Sequence, residues 1–288
     1  MATLNEIKNR IGAIRSTQKI TKAMKMISAV KLRKAQDRII ATRPYAKKMN
    51  ELLTHIVSVA PSGFHPLMEE KENKTKLIVI ISADRGLCGS FNTNLIKFAS
   101  TYIDEIGKDT KLIIVGKKAN DYFSKRGYNI SQKYIHIFNN LTITVAKSIV
   151  DKIVEGYIKN EYGSVDLIYN EFKSVVKQVT VREQLLPLSK PEENRSENVS
   201  SFDYIYEKSA VDILNELIPK QLNIQFWKSL LESNAAEQGA RMTAMELATK
   251  NAGEMISSLE LVYNKTRQES ITKELLEIVS GAEALKEG

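Results

Sequence analysis

The sequence predicts an α/β chain in which a central domain with a mainly parallel sheet is joined to two long terminal helices that pair as an antiparallel coiled coil. Three observations predict it. Apolar or small residues step by three and four along both ends of the chain. Those ends are almost free of helix breakers. The middle alternates short β-branched runs with helical patterns. The 288 residues are 43% hydrophobic and 26% charged, an ordinary balance for a folded chain and enough for one or two cores.

The first helix is marked by the seam Ile7, Ile11, Ile14, Gln18, Thr21, Met24, Ser28, Lys31 and Ala35, with no Gly or Pro between Gly12 and Pro44. The seam starts oily and turns small or polar from Gln18, which suits a helix that leans on one neighbour and faces other partners elsewhere. Pro44 is expected to kink it, since proline lacks the amide donor, and Pro61-Ser62-Gly63 to end the segment.

In the middle, 76–82, 111–116 and 165–172 read as strands and 92–106 and 142–159 as helices, the alternation of a Rossmann-like parallel sheet. Residues 175–186 read as a further strand that pairs with 165–172 through a turn at Lys173-Ser174, and 189–201, rich in Ser, Glu, Asn and Lys, as a mobile linker.

From about 221 to 285 there is no proline, and Gly239, Gly253 and Gly281 are the sole glycines. At about 1.5 Å per residue, roughly 60 such residues make a rod of about 90 Å, too long to pack inside one globule. Its seam runs Met242, Met245, Thr249, Ala252, Ile256, Leu259, Tyr263, Thr266, the three-four rhythm of a left-handed coiled coil. The expected organisation is therefore an N-terminal coiled-coil helix in 1–60, the α/β domain in 75–190, a linker in 191–207 and the C-terminal coiled-coil helix in 208–288.

Composition narrows the function. One cysteine, Cys88, makes no internal disulfide, and with His55, His65 and His136 it forms no pattern of metal-ligand spacing, so the default is a reduced, intracellular protein without a metal. No apolar run approaches the roughly 18 to 20 residues that span a bilayer. The basic start lacks the serine richness of a transit peptide and reads as mature, bacterial sequence. Net charge is +8, but residues 1–48 hold 13 Lys or Arg against Glu6 and Asp37, a net of +11, and the remainder carries −3. Such a segment has an anionic partner or is a solvated face.

The loop 83–92 (ADRGLCGSFN) stands where a strand hands over to a helix, a common phosphate site. It lacks the spacing and the lysine of a phosphate-binding loop, and its glycines, with Ser90 or Asn92 near a helix N-cap, explain it as a tight turn that exposes Arg85. Cys88 as a nucleophile lacks a histidine nearby in sequence. The basic helix as a nucleic-acid binder has its charges on all sides, almost no aromatics and no accompanying motif. Met24, Met26, Met242, Met245 and Met255 read as filler between helices, or as a surface that slides past changing neighbours.

Residues 14–29 (IRSTQKITKAMKMISA), followed by 31–36 (KLRKAQ), strongly resemble the signature of F-type ATP synthase gamma subunits. The runs 240–245 (ARMTAM), 264–268 (NKTRQ), 270–272 (SIT) and 274–281 resemble that family's other hallmark, and 84–89 (DRGLCG) is a third match, so the resemblance spans the chain in the family's order.

The resemblance implies a rotary shaft: the terminal helices turn inside a ring of alpha and beta subunits, and the α/β domain sits against epsilon and the ring of c subunits. It implies one copy per complex, no nucleic acid, no catalytic residue, no cofactor, and a peripheral place on the cytoplasmic face of the bacterial plasma membrane. Carried over by position, Lys22, Met24 and Lys25, with Arg85 and Cys88, face an acidic loop of beta. Arg241, Arg267, Gln268 and Thr272 contact the ring higher up, and Tyr204 and Tyr206 lie near epsilon and the c ring. The family's chloroplast members carry an inserted cysteine pair for thiol regulation, which a chain with a single cysteine lacks. Residues 191–201 fall in a region that varies within the family, and nothing is carried over there.

Overall fold

The structure is a computed structural model that describes residues 3–59, 65–107, 109–188 and 209–284. In chain order the elements are α1 (Leu4–Val59), β1 (Lys76–Ile81), α2 (Phe91–Ile106), β2 (Thr110–Val115), α3 (Lys117–Lys125), β3 (Ile130–Tyr134), a 3₁₀ turn (Ile137–Asn140), α4 (Ile143–Ile158), β4 (Ser164–Phe172), β5 (Gln178–Leu186) and α5 (Ala210–Ala284). By their contacts they fall into two compact units, Met1–Ile27 with Met242–Gly288, and Ser28–Arg241, with α1 and α5 contributing to both.

Both long helices begin on side-chain caps. At α1, Thr3 Oγ1 accepts from the Glu6 amide and Glu6 Oε2 accepts from the Thr3 amide, a reciprocal capping box. At α5, Ser209 Oγ accepts from the Asp212 amide. α1 continues through Pro44 and α5 through Pro219, so α5 begins eleven residues before the proline-free stretch.

In the unit of Met1–Ile27 with Met242–Gly288, α1 and α5 run antiparallel. Ile7, Ile11 and Ile256 form its small core, with Ile14, Leu259 and Tyr263 packed against them. Further along, Thr21 and Thr249 share a hydroxyl hydrogen bond of 2.8 Å, and Lys25 pairs with Glu246 at 2.6 Å. Each residue of the predicted C-terminal seam from Met242 to Thr266 is buried or half-buried. On α1 the predicted seam holds to Ser28. Beyond it Lys31 is exposed and Leu32, Ala35 and Ile39 take the inner face. A straight helix drifts against a strict heptad, so one extra step of four re-centres the stripe.

In the unit Ser28–Arg241 the sheet order is β3-β2-β1-β4-β5, parallel except for β5, which pairs antiparallel with β4. β1 (KLIVII) is apolar throughout because both its faces are covered. Leu77, Val79 and Ile81 enter a core built with α1, α4 and α5, whereas Ile78 and Ile80 enter one built with α2 and α3. The strand after α4 lands on the far side of β1, so α4 covers the opposite face from α2 and α3, as crossovers of one hand require.

The expected antiparallel partner of 165–172 is present as β4–β5, but β5 begins at Gln178 rather than at residue 175, so the turn is longer than Lys173-Ser174. Sequence reading missed α3, nine residues long, and β3, an edge strand whose burial alternates. Among the described residues no helix is long and apolar enough to cross a membrane. The stretch expected to be a linker, 191–207, lies outside the described residues, as does Pro61-Ser62-Gly63, expected to end the first helical segment.

Candidate functional site

The loop that leaves β1 is fastened from several sides. Ser82 donates from its amide to Val115 O at 2.8 Å, and its hydroxyl accepts from the Ala119 amide at 3.0 Å. Gly116 lies against it at φ +97°, where an added Cβ would stand 2.1 Å from Ser82 O, so no other residue fits there. Asp84 Oδ1 accepts from the amides of Lys117 (3.1 Å) and His136 (2.9 Å), joining the loops that follow β1, β2 and β3.

Asn92 closes the turn. Its Oδ1 accepts from the Ala83 amide at 3.1 Å, and its Nδ2 donates to Cys88 Sγ at 3.1 Å and to Arg85 O at 3.5 Å. Between them Leu87 (φ 63°) and Gly89 (φ 58°) take left-handed conformations. Ser90 occupies the N-cap of α2 but makes no capping bond, so the amide of Asn92 rather than a hydroxyl cap shapes the turn.

α5 lies along the ends of β1 and β4. Ser229, Ser233, Glu237 and Arg241, spaced by four, form a buried polar stripe, flanked by the buried apolar Leu230, Leu231, Ala235 and Ala236 and by the buried polar Glu232 and Gln238. Ser233 Oγ donates to Ile81 O at 3.3 Å, and Glu232 Oε2 accepts from the Phe172 amide at 3.1 Å. Strand ends leave backbone groups without ladder partners, and a polar stripe supplies them. Ala236 packs with Ala83, Cys88 and Phe91. One turn on, Arg241 forms an ion pair with Glu237 and donates from Nη2 to Arg85 O (3.3 Å) and Gly86 O (3.0 Å).

This arrangement decides the chemistry of the loop. In a doubly wound sheet a ligand binds where the strand order reverses, here between β1 and β4. That crevice is filled by α5, which bonds the ends of both strands. The loop turns two carbonyls toward a guanidinium, the opposite of a phosphate cradle, which offers N–H groups. Cys88 is 1% exposed, and burial pushes its thiol up, with Arg241 lowering and Glu237 raising it further. A buried thiol that holds its proton is no nucleophile.

Two of the contact residues expected from sequence lie inside the folded chain. Cys88 and Arg241 (8% exposed) are interior to the folded chain and anchor the loop, because their polar atoms are spent on Arg85, Gly86, Asn92 and Glu237. Arg85 is exposed beside them. Lys22 is exposed on α1, Met24 is half-buried, and Lys25 is half-buried in its pair with Glu246. Arg267, Gln268 and Thr272 are exposed near the end of α5, Thr272 Oγ1 donating to Gln268 O at 2.9 Å. Tyr204 and Tyr206 lie outside the described residues. Of the methionines read as filler, Met245 is 4% exposed, whereas Met26 (58%) and Met255 (48%) face outward.

Sequence reading missed Glu232, Ser233 and Glu237. The signal for Ser233 and Glu237 was available, since with Ser229 and Arg241 they recur every four residues, and Glu232 lies one position off that stripe.

A family model described as ATP synthase matches residues 3–285. The chain is 48% identical to the ATP synthase gamma chain of Chloroherpeton thalassium, covering 100% of this chain and 99% of that one. It is 46% identical to the ATP synthase gamma chain of Cytophaga hutchinsonii, covering 99% of each. Among solved structures it is similar to a chain of the central stalk and c-ring of the Tetrahymena thermophila mitochondrial ATP synthase, with 27% identity, a TM-score of 0.61, and coverage of 80% of this chain and 99% of that one. A chain of the Euglena gracilis mitochondrial ATP synthase, at 19% identity and a TM-score of 0.70 over 98% of this chain and 94% of that one, shares the fold.

Proposed function

The chain belongs to the ATP synthase gamma-chain family, and from that premise we propose that its work is wholly mechanical, with no catalytic group of its own. It is the central stalk subunit of an F-type ATP synthase, coupling ion flow through the membrane sector to ATP synthesis and hydrolysis in the head. The observation that carries the mechanical reading is the crevice at the ends of β1 and β4. Where related sheets take a ligand, this chain places its own helix α5.

What α1 and α5 leave outward suits protein partners. The exposed face of α1 interleaves Lys19, Lys22 and Lys31 with Ile20, Ile27 and Val30, and the end of α5 exposes Ile271, Leu275, Leu276 and Ile278. On our reading Lys22, Met24, Lys25 and Arg85 meet an acidic surface of beta, and Arg267, Gln268 and Thr272 meet the alpha and beta ring. The α/β domain of 75–190 stands against epsilon and the c ring. A single shaft touching three equal sites in turn stabilises a different conformation in each, and differential stabilisation is what drives them through the cycle. One copy serves each complex, peripheral to the membrane on its cytoplasmic face.

Charge reversal tests this. Complexes carrying M24E or R85E in inverted membrane vesicles are expected to hydrolyse ATP but pump fewer protons per ATP, since like charge is brought to an acidic partner. Wild-type pumping in both variants would overturn the placement of these residues. Tagged chain is expected to co-purify with alpha, beta and epsilon in a salt-resistant complex. Recovery of nucleic acid instead would return the basic helix to a phosphate-binding role.

A further inference from the structure

Between the ties made by Asp84 and Asn92, the stretch 85–87 is the part of the 84–92 loop that the loop itself holds least. Leu87 occupies the left-handed region, which costs a residue with a Cβ roughly 1 kcal/mol or more. The Arg85 carbonyl takes only long bonds from within the loop, 3.8 Å from Cys88 Sγ and 3.5 Å from Asn92 Nδ2. The firmest hold on the carbonyls comes from outside it, through Arg241 Nη2 at 3.3 Å to Arg85 O and 3.0 Å to Gly86 O. The guanidinium is itself fixed, since its Nη1 is engaged by Glu237, and both side chains are less than a tenth exposed. A planar fork serves a carboxylate on one edge and two carbonyls on the other, which a lysine ammonium does not reproduce.

We propose that Arg241, oriented by Glu237, is a positioning residue for coupling: it ties the 84–92 loop to α5, so that Arg85 turns with the helix and meets its partner in one orientation. The proposal rests on the reading of Arg85 as a partner contact. Torque passing along α5 then reaches Arg85 through a buried ion pair and two hydrogen bonds rather than through a loose turn. The two residues are more than 150 positions apart in the chain, and their effects are nonetheless expected to be linked.

The test is a double-mutant cycle in the assembled complex. E237Q/R241Q removes both charges together, so no uncompensated charge is left buried. Proton pumping per ATP hydrolysed is expected to fall by the same factor in E237Q/R241Q as in R85A, with no further fall in the triple variant. Hydrogen exchange of the 84–92 amides is expected to rise about tenfold or more in E237Q/R241Q, and less in R241K. Losses that multiply in the triple variant, or unchanged exchange in E237Q/R241Q, would overturn the proposal. If R85A pumps as wild type, the contact reading of Arg85 falls. The exchange result alone then decides whether Arg241 anchors the loop.

Discussion

Substituting R241Q leaves the Glu237 carboxylate, 6% exposed, without the cation beside it. Breaking one side of a buried ion pair costs about 3–5 kcal/mol, because the remaining charge is stranded in a medium that solvates it poorly. The carboxylate has one escape, to take up a proton. Burial already pushes Glu237 above its ordinary value of 4.5, and Asp84 adds to that, while Arg241, by charge and by hydrogen bond, and Lys31 hold it down. Without Arg241 its folded-state value climbs further. A folded carboxyl raised in this way binds a proton that the unfolded chain releases, so stability is retained near pH 4.5 and is lost as pH rises through the raised value. Urea unfolding of the full chain is therefore expected to show a deficit of about 3–5 kcal/mol for R241Q at about pH 8 and a smaller one at about pH 5. E237Q/R241Q is expected to recover most of the loss and to lack its pH dependence. A deficit in R241Q that does not change between these pH values, or one equal to that of E237Q/R241Q at the higher pH, would refute the reasoning.

Three further outcomes are expected. K25Q removes an ion pair whose side chains are 37% and 58% exposed, worth no more than about 1 kcal/mol, so the thermal midpoint of the full chain stays put. Any fall in ATP-driven pumping by the K25Q complex then reports on the partner contact. G116A forces a Cβ onto Ser82 O at a left-handed position and is expected to cost about 3 kcal/mol, read as a lower urea midpoint. T21V and T21V/T249V are each expected to change stability by less than about 1 kcal/mol, because the hydroxyl left in T21V still donates to Met245 O of its own helix. Thermal melts of these two variants beside the wild-type chain check this, and a marked fall in T21V alone would refute it.

Much of the architecture was legible because it rests on local periodicity. The C-terminal seam from Met242 to Thr266 is inward-facing at every position, since helix geometry alone brings residues three and four apart onto one face. β1 and β2 were legible as apolar runs, for a strand covered on both sides has no polar face to confuse the reading, and β4 was legible through its run Leu167, Ile168 and Tyr169 although it also buries Asp166 and Asn170. β3 (ISQKY) was not, because an edge strand buries only alternate residues and its five positions carry little pattern. Lys31 was misplaced by one position because a strict heptad does not follow a helix of 3.6 residues per turn for long.

The loop shows where periodicity stops. Its composition marked a tight turn and an exposed arginine, and the sequence by itself determined the family through the long runs at both ends. Whether Cys88 and Arg241 face a partner or the interior was decided only by tertiary structure. That outcome depends on α5 closing across the ends of β1 and β4, more than 150 residues from the loop in sequence. Burial of a side chain is a property of what packs over it, and no local pattern around Arg241 records that two carbonyls at residues 85 and 86 will be waiting for its guanidinium.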